Sequence, residues 1–124
     1  MKRIPLFLII VLLLASIAAS AQVKVSTAPA IPGQRSATLT WTESTPGVTF
    51  NVYRGSTAGG ENATPLGTVG VGVLTYVDTT VVSGATYYYT VTALSTIESE
   101  PSNEVVAVVP IAPASPSLNP AIVQ

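Results

Sequence analysis

The amino-acid sequence predicts an all-β protein, and three observations support this class. Sixteen valines and 16 threonines follow residue 21, and β-branched side chains suit a pleated sheet better than a helix. Apolar and hydroxyl residues alternate in several short segments, which is typical of strands with one buried and one wet face. Glycine or proline recurs between these segments. The strands should therefore be short and joined by turns, as in an antiparallel sandwich or barrel.

The alternation assigns an inward face to each predicted strand in turn. Val23 and Val25 indicate a first strand, and the segment 69–77 reads as a strand weakened by two glycines. The remaining strands alternate clearly, with hydroxyls on the wet face. The predicted inward sets, in chain order, are Ala37, Leu39 and Trp41; Phe50 and Val52; Leu74 and Tyr76; Tyr87, Tyr89, Val91 and Ala93; and Val105, Ala107 and Val109.

Residues 1–21 have the pattern of a secretory signal peptide. Lys2 and Arg3 form a positively charged start, an apolar run extends over residues 4–19, and Ala19-Ser20-Ala21 has the small-x-small pattern of a cleavage site. The alternative is a retained membrane anchor, but the run is shorter than the roughly 20 residues that span a bilayer. We therefore expect cleavage after Ala21 and a secreted or periplasmic mature chain.

The composition excludes several kinds of chemistry. The 124 residues include no histidine and no cysteine. Catalytic groups and metal ligands of those two types, and disulfides, are therefore excluded. Five basic and six acidic residues give a net charge of −1, and the basic residues beyond the signal are scattered. A chain of this kind has no basic footprint for nucleic acid. No cofactor is predicted.

The C-terminal residues differ in composition from the rest of the chain. Residues 110–124 contain four prolines and no charged side chain. This composition predicts an extended, disordered tail over residues 111–124. The predicted organisation is thus a signal peptide over 1–21, one domain over 22–110 and this tail.

Four segments together resemble a fibronectin type III domain of the kind found in exported bacterial proteins. They occur in a typical order and spacing, and the resemblance covers about residues 23–110. It implies an immunoglobulin-like, seven-stranded antiparallel sandwich. The segments are Ser36–Trp41; Phe50–Arg54 with its Tyr-Arg pair; Tyr76–Asp78 followed by Val81 and Gly84–Ala93; and Glu98–Val105.

The resemblance implies two structural roles. Trp41 would lie at the centre of the core between the two sheets. Tyr87, three residues after Gly84, would be the tyrosine-corner residue, with a buried ring and a hydroxyl bonded to the backbone of the preceding loop. Ser83 stands where animal members of the family usually have proline, which should loosen this turn slightly.

The resemblance also implies a candidate contact surface. It places the third, sixth and last strands side by side, so Tyr53, Tyr88, Val106 and Val108 would share one exposed face. Aromatic rings on a flat sheet can stack on sugar rings or on protein surfaces. The alternative is ordinary cross-strand packing that needs no ligand.

The acidic residues do not predict a catalytic or metal site. Glu98, Glu100 and Glu104 fall in a polar hairpin loop without the cleft that a carboxylate pair needs. Calcium generally takes more oxygen ligands than these three side chains offer. We expect solvated glutamates here, and we expect Asp78 to bond local backbone at a strand end.

These observations predict a secreted, non-enzymatic binding or spacer module for protein or cell-envelope contacts. Two alternatives stay open. One is a carbohydrate-contacting accessory module that uses Tyr53 and Tyr88. The other is a fragment of a larger exported hydrolase, because the proline-rich tail resembles a linker. No nucleic-acid partner and no stable membrane span after signal cleavage are expected.

Overall fold

The computed structural model describes residues 20–26 and 34–124, and these ranges contain seven β-strands. Residues 1–19 of the predicted signal peptide lie outside the described residues. The described ranges contain no helix that could cross a membrane. The strands are β1 (Ser20–Ser26), β2 (Ser36–Thr42), β3 (Thr49–Gly55), β4 (Gly67–Val69), β5 (Thr75–Asp78), β6 (Thr86–Leu94) and β7 (Val105–Val108).

The strands form two antiparallel sheets. One sheet has three strands in the order β1-β2-β5, and the other has four in the order β4-β3-β6-β7. The buried side chains of both sheets form one hydrophobic cluster between them. The immunoglobulin-like antiparallel sandwich predicted from the sequence is therefore confirmed.

The alternation of β2, β3, β6 and β7 identifies their inward faces correctly. At the centre of the core, the Trp41 ring lies 5.3 Å from that of Phe50, centroid to centroid. Tyr87 and Val105 are partly buried and pack against the core, as do Val23 and Val25 of β1. The other predicted inward residues of these four strands are buried: Ala37, Leu39, Trp41, Phe50, Val52, Tyr89, Val91, Ala93, Ala107 and Val109.

The chain changes sheets between β4 and β5, and this crossover overturns part of one predicted inward face. The segment 69–77 is not one strand, because its start pairs with β3 and its end pairs with β2. Gly72 in the crossover has φ 77°, a backbone conformation that favours glycine. Leu74 precedes β5 and is 39% exposed, so the prediction that it faces inward is wrong. Its carbonyl, rather than its side chain, meets β2, where it accepts the backbone N–H of Trp41 at 3.1 Å.

Tyr76, the second residue predicted to face inward in this segment, packs against the core. Its ring lies so close to β4 that a Cβ on Gly67 would be 2.6 Å from a ring carbon. A side chain at residue 67 would therefore push Tyr76 away from β4. Close approach is what requires glycine at this position.

Tyr87 lies at the start of β6, beside a turn that contains Gly84 at φ 79°. Its hydroxyl accepts a hydrogen bond from the backbone N–H of Val82 at 3.3 Å. The ring is half-buried rather than fully buried. The guanidinium carbon of Arg54 lies 4.8 Å from the ring centroid, which is a cation–π distance.

A buried carboxylate joins the two sheets. Asp78 of β5 accepts hydrogen bonds at Oδ2 from Arg54 of β3 (2.7 Å) and from the hydroxyl of Tyr89 of β6 (2.8 Å). Its Oδ1 accepts the backbone N–H and the hydroxyl of Thr80. Burial alone would raise the pKa of Asp78, but the hydrogen bonds from Thr80, Tyr89 and Arg54 outweigh it and hold the pKa below its ordinary value. The Asp78 carboxylate is therefore ionised and fully bonded inside the sandwich.

Residues 110–124 follow the sandwich as an exposed segment without regular structure. Ser83 attaches its beginning to the fold. The Ser83 hydroxyl donates to the carbonyl of Pro110 (2.9 Å) and accepts the backbone N–H of Ala112 (2.7 Å). A proline at position 83 could make neither bond, so this departure from the animal pattern has a structural use here.

Candidate functional site

The outer face of the four-stranded sheet contains the residues predicted as a contact surface. Tyr53 of β3 lies opposite Thr90 of β6, and Tyr88 lies opposite Val106 of β7. Val108 is two residues further along β7, so it projects from the same face. Both tyrosines are half-buried, whereas Val106 and Val108 are 50% and 62% exposed. The structure thus brings all four predicted residues together, with the two tyrosines as diagonal neighbours.

A second carboxylate organises the polar half of this face. Glu98, in the loop after β6, accepts hydrogen bonds at Oε1 from Asn51 Nδ2 (3.0 Å), from the Tyr53 hydroxyl (2.6 Å) and from the Thr92 hydroxyl. Asn51 in turn accepts the hydroxyl of Thr68 of β4 at 2.8 Å. The side chains of three strands are therefore linked through one loop residue.

These bonds change the acid–base properties of both partners. Hydrogen bonds from Thr92, Tyr53 and Asn51 hold the pKa of Glu98 below its ordinary value. The same bond to Glu98 raises the pKa of the Tyr53 hydroxyl. At neutral pH Glu98 is an acceptor and Tyr53 a donor. Glu98 is exposed, as expected of a solvated loop residue, but its carboxylate also accepts three side-chain hydrogen bonds that the sequence does not predict.

An open groove of about 410 Å³ runs beside the Tyr53 ring. One side is formed by the outer face of β6, and the other by the loops that follow β3 and β6. The groove is lined by hydroxyls, an amide, a proline and two carboxylates, and no basic side chain lines it. The lining residues are Tyr53, Glu61, Asn62, Thr90, Thr92, Glu98, Ser99 and Pro101.

The loop that follows β3 is held against the start of β7 by another carboxylate. Glu104 Oε2 accepts the backbone N–H of Gly59 at 2.6 Å. Glu61 lies near it, and burial together with the Glu104 carboxylate raises the pKa of Glu61. The two carboxylates that line the groove itself are Glu61 and Glu98, and they give it a negative potential.

The glutamates of the loop after β6 do not converge on one point. Glu98 bonds side chains of the four-stranded sheet, and Glu104 bonds the backbone N–H of Gly59. Glu100 takes part in neither of these sets of hydrogen bonds. In residues 20–26 and 34–124, no group of three or more acidic side chains is arranged to hold a metal ion. The groups that this face presents are hydrogen-bonding side chains, aromatic rings and apolar side chains.

Sequence reasoning missed Asn51, Thr92 and Glu98 as parts of the candidate site. Asn51 and Thr92 are directly opposite each other in β3 and β6, and the alternation that places Val52 and Val91 inward places both of them on the wet face. An asparagine in the middle of a strand is unusual, and this was the available signal. The contribution of Glu98 depends on how the loop folds back over the sheet, which spacing alone does not show.

The strand order and sheet pairing define an immunoglobulin-like β-sandwich. Among solved structures, the sixth fibronectin type III domain of human fibronectin type III domain containing protein 3 superimposes with a TM-score of 0.55 and 21% sequence identity. The match covers 81% of this chain and 89% of that domain. The chain therefore has the fold of a fibronectin type III domain. No model of a protein family matches the sequence, and no curated protein matches it.

Two polysaccharide-acting enzymes also contain a similar fold. Pectate lyase PelI from Erwinia chrysanthemi matches with a TM-score of 0.58 and 20% identity, over 72% of this chain and 27% of that one. The β-1,2-glucanase from Parabacteroides distasonis matches with a TM-score of 0.55 and 22% identity, over 64% of this chain and 11% of that one. This chain thus spans a small part of each enzyme, and the likeness shows the fold.

Proposed function

We propose that this domain is an exported, non-enzymatic module that binds a protein or another cell-envelope component through the outer face of β4-β3-β6-β7. The observation that carries the proposal is the apolar half of that face. Val106 and Val108 are 50% and 62% exposed beside Tyr88, on the outer face of the four-stranded sheet. Grouped apolar side chains of this kind are typical of contact surfaces, whereas single ones are ordinary.

The charge distribution supports a contact of low salt dependence. No charged side chain projects from β6 or β7 on this face, and the nearest carboxylate, Glu98, is engaged by neutral donors. Apolar burial and stacking would supply the binding free energy, and these vary little with ionic strength.

A matched pair of substitutions tests this surface. Val106 on the four-stranded sheet and Val77 on the three-stranded sheet are 50% and 49% exposed, and both are strand residues. We expect a cell-envelope component retained by the wild-type protein to be lost with Val106→Asp and kept with Val77→Asp. Equal retention by the two variants would exclude the proposed face, and no retained component at all would favour the spacer function.

A carbohydrate-contacting module is the second candidate, favoured by the groove beside Tyr53. The Tyr53 ring is held in place by the hydrogen bond from its hydroxyl to Glu98, and hydroxyl and amide groups line the groove. This arrangement suits stacking and hydrogen bonding to a sugar. Glu61 and Glu98 would repel an acidic polymer, so a neutral glucan fits the groove better than polygalacturonate. The two enzymes of similar fold act, by their names, on polysaccharides.

Affinity electrophoresis in gels that contain a soluble glucan or polygalacturonate would test this candidate. We expect retardation by the neutral glucan alone, loss of retardation with Tyr53→Ala, and partial retention with Tyr53→Phe, which keeps the ring. Unchanged mobility of the wild-type protein in both gels would reject the carbohydrate function. In a larger exported hydrolase, which is the third possibility, the domain would serve the same contacts beside a catalytic unit.

A further inference from the structure

We infer that the mature protein retains Ala21, and that the signal peptide is therefore removed at the Ala18–Ala19 bond rather than after Ala21. The inference is independent of the contact surface proposed above. It rests on the position of Ala21 in β1 and on an earlier small-x-small pattern in the signal sequence, Ser16-Ile17-Ala18.

Ala21 is part of the hydrophobic core. Its side chain is 2% exposed, and β1 pairs it directly with Trp41 of β2. Among residues 20–25 of β1, for which the structure describes burial, it is the one buried residue, since Val23 and Val25 are only partly buried. The core of the sandwich is thus closed at this end by a residue that the Ala19-Ser20-Ala21 pattern would assign to the discarded peptide.

The backbone of Ala21 is held from both sides by one side chain. Its N–H donates to Asn103 Oδ1 at 3.0 Å, and its carbonyl accepts from Asn103 Nδ2 at 3.1 Å. The amide of Asn103 thereby pairs with β1 as a neighbouring strand would. Asn103 precedes β7, so these two bonds connect the edges of the two sheets.

Cleavage after Ala21 would remove each of these contacts. The core would lose a buried methyl group over Trp41, and the Asn103 amide would lose both partners. A new charged terminus at Gln22 would stand next to the vacated position. Loss of buried packing and of paired polar groups lowers the stability of a folded domain.

The sequence contains a cleavage pattern that avoids these losses. Ser16-Ile17-Ala18 has small residues at the same two positions as Ala19-Ser20-Ala21. Ala18-Ala19-Ser20 has them as well, but cleavage after Ser20 would remove the pairing of Ser20 with Thr42. Hydrolysis of the Ala18–Ala19 amide by water gives a carboxylate on Ala18, which leaves with the signal peptide, and an ammonium group on Ala19. The mature chain then contains all residues of β1 that the structure describes, Ser20–Ser26.

The N-terminus of the exported protein decides the matter. The full chain is expressed with its own signal, and the exported protein is analysed by intact mass and by N-terminal sequencing. We expect Ala19 as the first residue. A start at Gln22, cyclised or not, or an intact Met1 would overturn the inference. A start at Ser20 or Ala21 would overturn the assignment of the bond, while the retention of Ala21 would stand.

The exported protein also allows an independent structural test. If Ala21 is retained, Asn103→Ala removes the two side-chain hydrogen bonds to the backbone of Ala21 and lowers the midpoint of urea unfolding. Asn62→Ala, at an exposed loop position, is the matched control and should leave the midpoint unchanged. Equal midpoints for Asn103→Ala and the wild-type protein would overturn the role of Ala21 in the mature fold.

Discussion

Two carboxylates in this domain each collect several hydrogen bonds, one between the sheets and one on the outer face. Asp78 is 2% exposed, whereas Glu98 is exposed. Both accept a tyrosine hydroxyl and a threonine hydroxyl, and both have a lowered pKa. The partners are Arg54, Thr80 and Tyr89 for Asp78, and Asn51, Tyr53 and Thr92 for Glu98.

The difference in solvation makes the two networks unequal. Water can replace a lost partner at Glu98, so the network there positions side chains at little cost. Asp78 is 2% exposed, so bulk water does not replace a lost partner there, and removal of the carboxylate leaves the buried Tyr89 hydroxyl without its acceptor. Similar hydrogen bonds therefore stabilise the fold at Asp78, whereas at Glu98 they position the side chains of an exposed surface.

The largest difference in stability between the two networks is expected when each carboxylate is removed in turn. We expect Asp78→Ala to lower the free energy of unfolding by about 2–4 kcal/mol, because it leaves the buried Tyr89 hydroxyl and the partly buried Arg54 guanidinium without their shared acceptor. Glu98→Ala should cost about 1 kcal/mol or less, as is usual for exposed polar contacts. Urea unfolding followed by Trp41 fluorescence measures both. Similar costs for the two variants would contradict the comparison.

Removing a single hydroxyl gives a smaller effect of the same kind. Tyr89→Phe should cost about 1–3 kcal/mol, because Asp78 loses a buried donor. Tyr53→Phe should change stability by less than about 0.5 kcal/mol, since Glu98 keeps two donors and faces solvent. The ring stays in place in both variants, so the hydroxyl alone is compared. A larger cost for Tyr53→Phe would show that the outer network also stabilises the fold.

The smallest difference between the Asp78 and Glu98 networks should appear in how the free energy of unfolding declines at acidic pH. The pKa of Asp78 lies below its ordinary value of 3.8 in the folded state, so its contribution is complete above that value and is lost as pH falls through the folded pKa. We expect Asp78→Asn to flatten the decline of the unfolding free energy below about pH 4. Glu98→Gln should flatten it less.

Glu61 acts with the opposite sign, because a raised pKa favours the folded state at low pH and loses that contribution as pH rises. It is present in the wild-type protein and in both variants, so their differences isolate Asp78 and Glu98. Thermal or urea midpoints taken between pH 2.5 and 6 would suffice, in steps of about 0.5. An unchanged acid limb in Asp78→Asn would show that another carboxylate controls it.

The sequence predicts which face of a strand each tyrosine occupies, but it does not predict all the hydrogen-bond partners of Asp78 and Glu98. Alternation is a local property of a strand, so it places Tyr89 inward and Tyr53 outward without knowledge of the partners. The bond from Asp78 to the backbone of Thr80, two residues further on, is likewise local and matches the expectation for an aspartate at a strand end. Arg54 and Tyr89 reach Asp78 from the opposite sheet, which no local pattern shows.

The misassigned Leu74 has a similar origin. A period-two pattern assumes that a segment stays in one sheet, whereas this chain leaves one sheet at Val69 and joins the other at Thr75. The glycines between them indicated a weak strand, but the change of sheet depends on pairing with β2 and β3. Tertiary pairing, rather than local preference, decides such positions.

The hydrogen bond between Tyr53 and Glu98 would lower the entropy cost of binding a ligand to the Tyr53 ring. An aromatic ring that is free to rotate loses about 0.5–1.5 kcal/mol of rotamer freedom when a partner immobilises it. Here the hydroxyl is already tethered at 2.6 Å before any partner arrives. A ligand that stacks on this ring meets a pre-organised platform, so less of its contact energy is lost to ordering. Small, flat ligands with few atoms would benefit most, because the ordering cost is the largest fraction of their total.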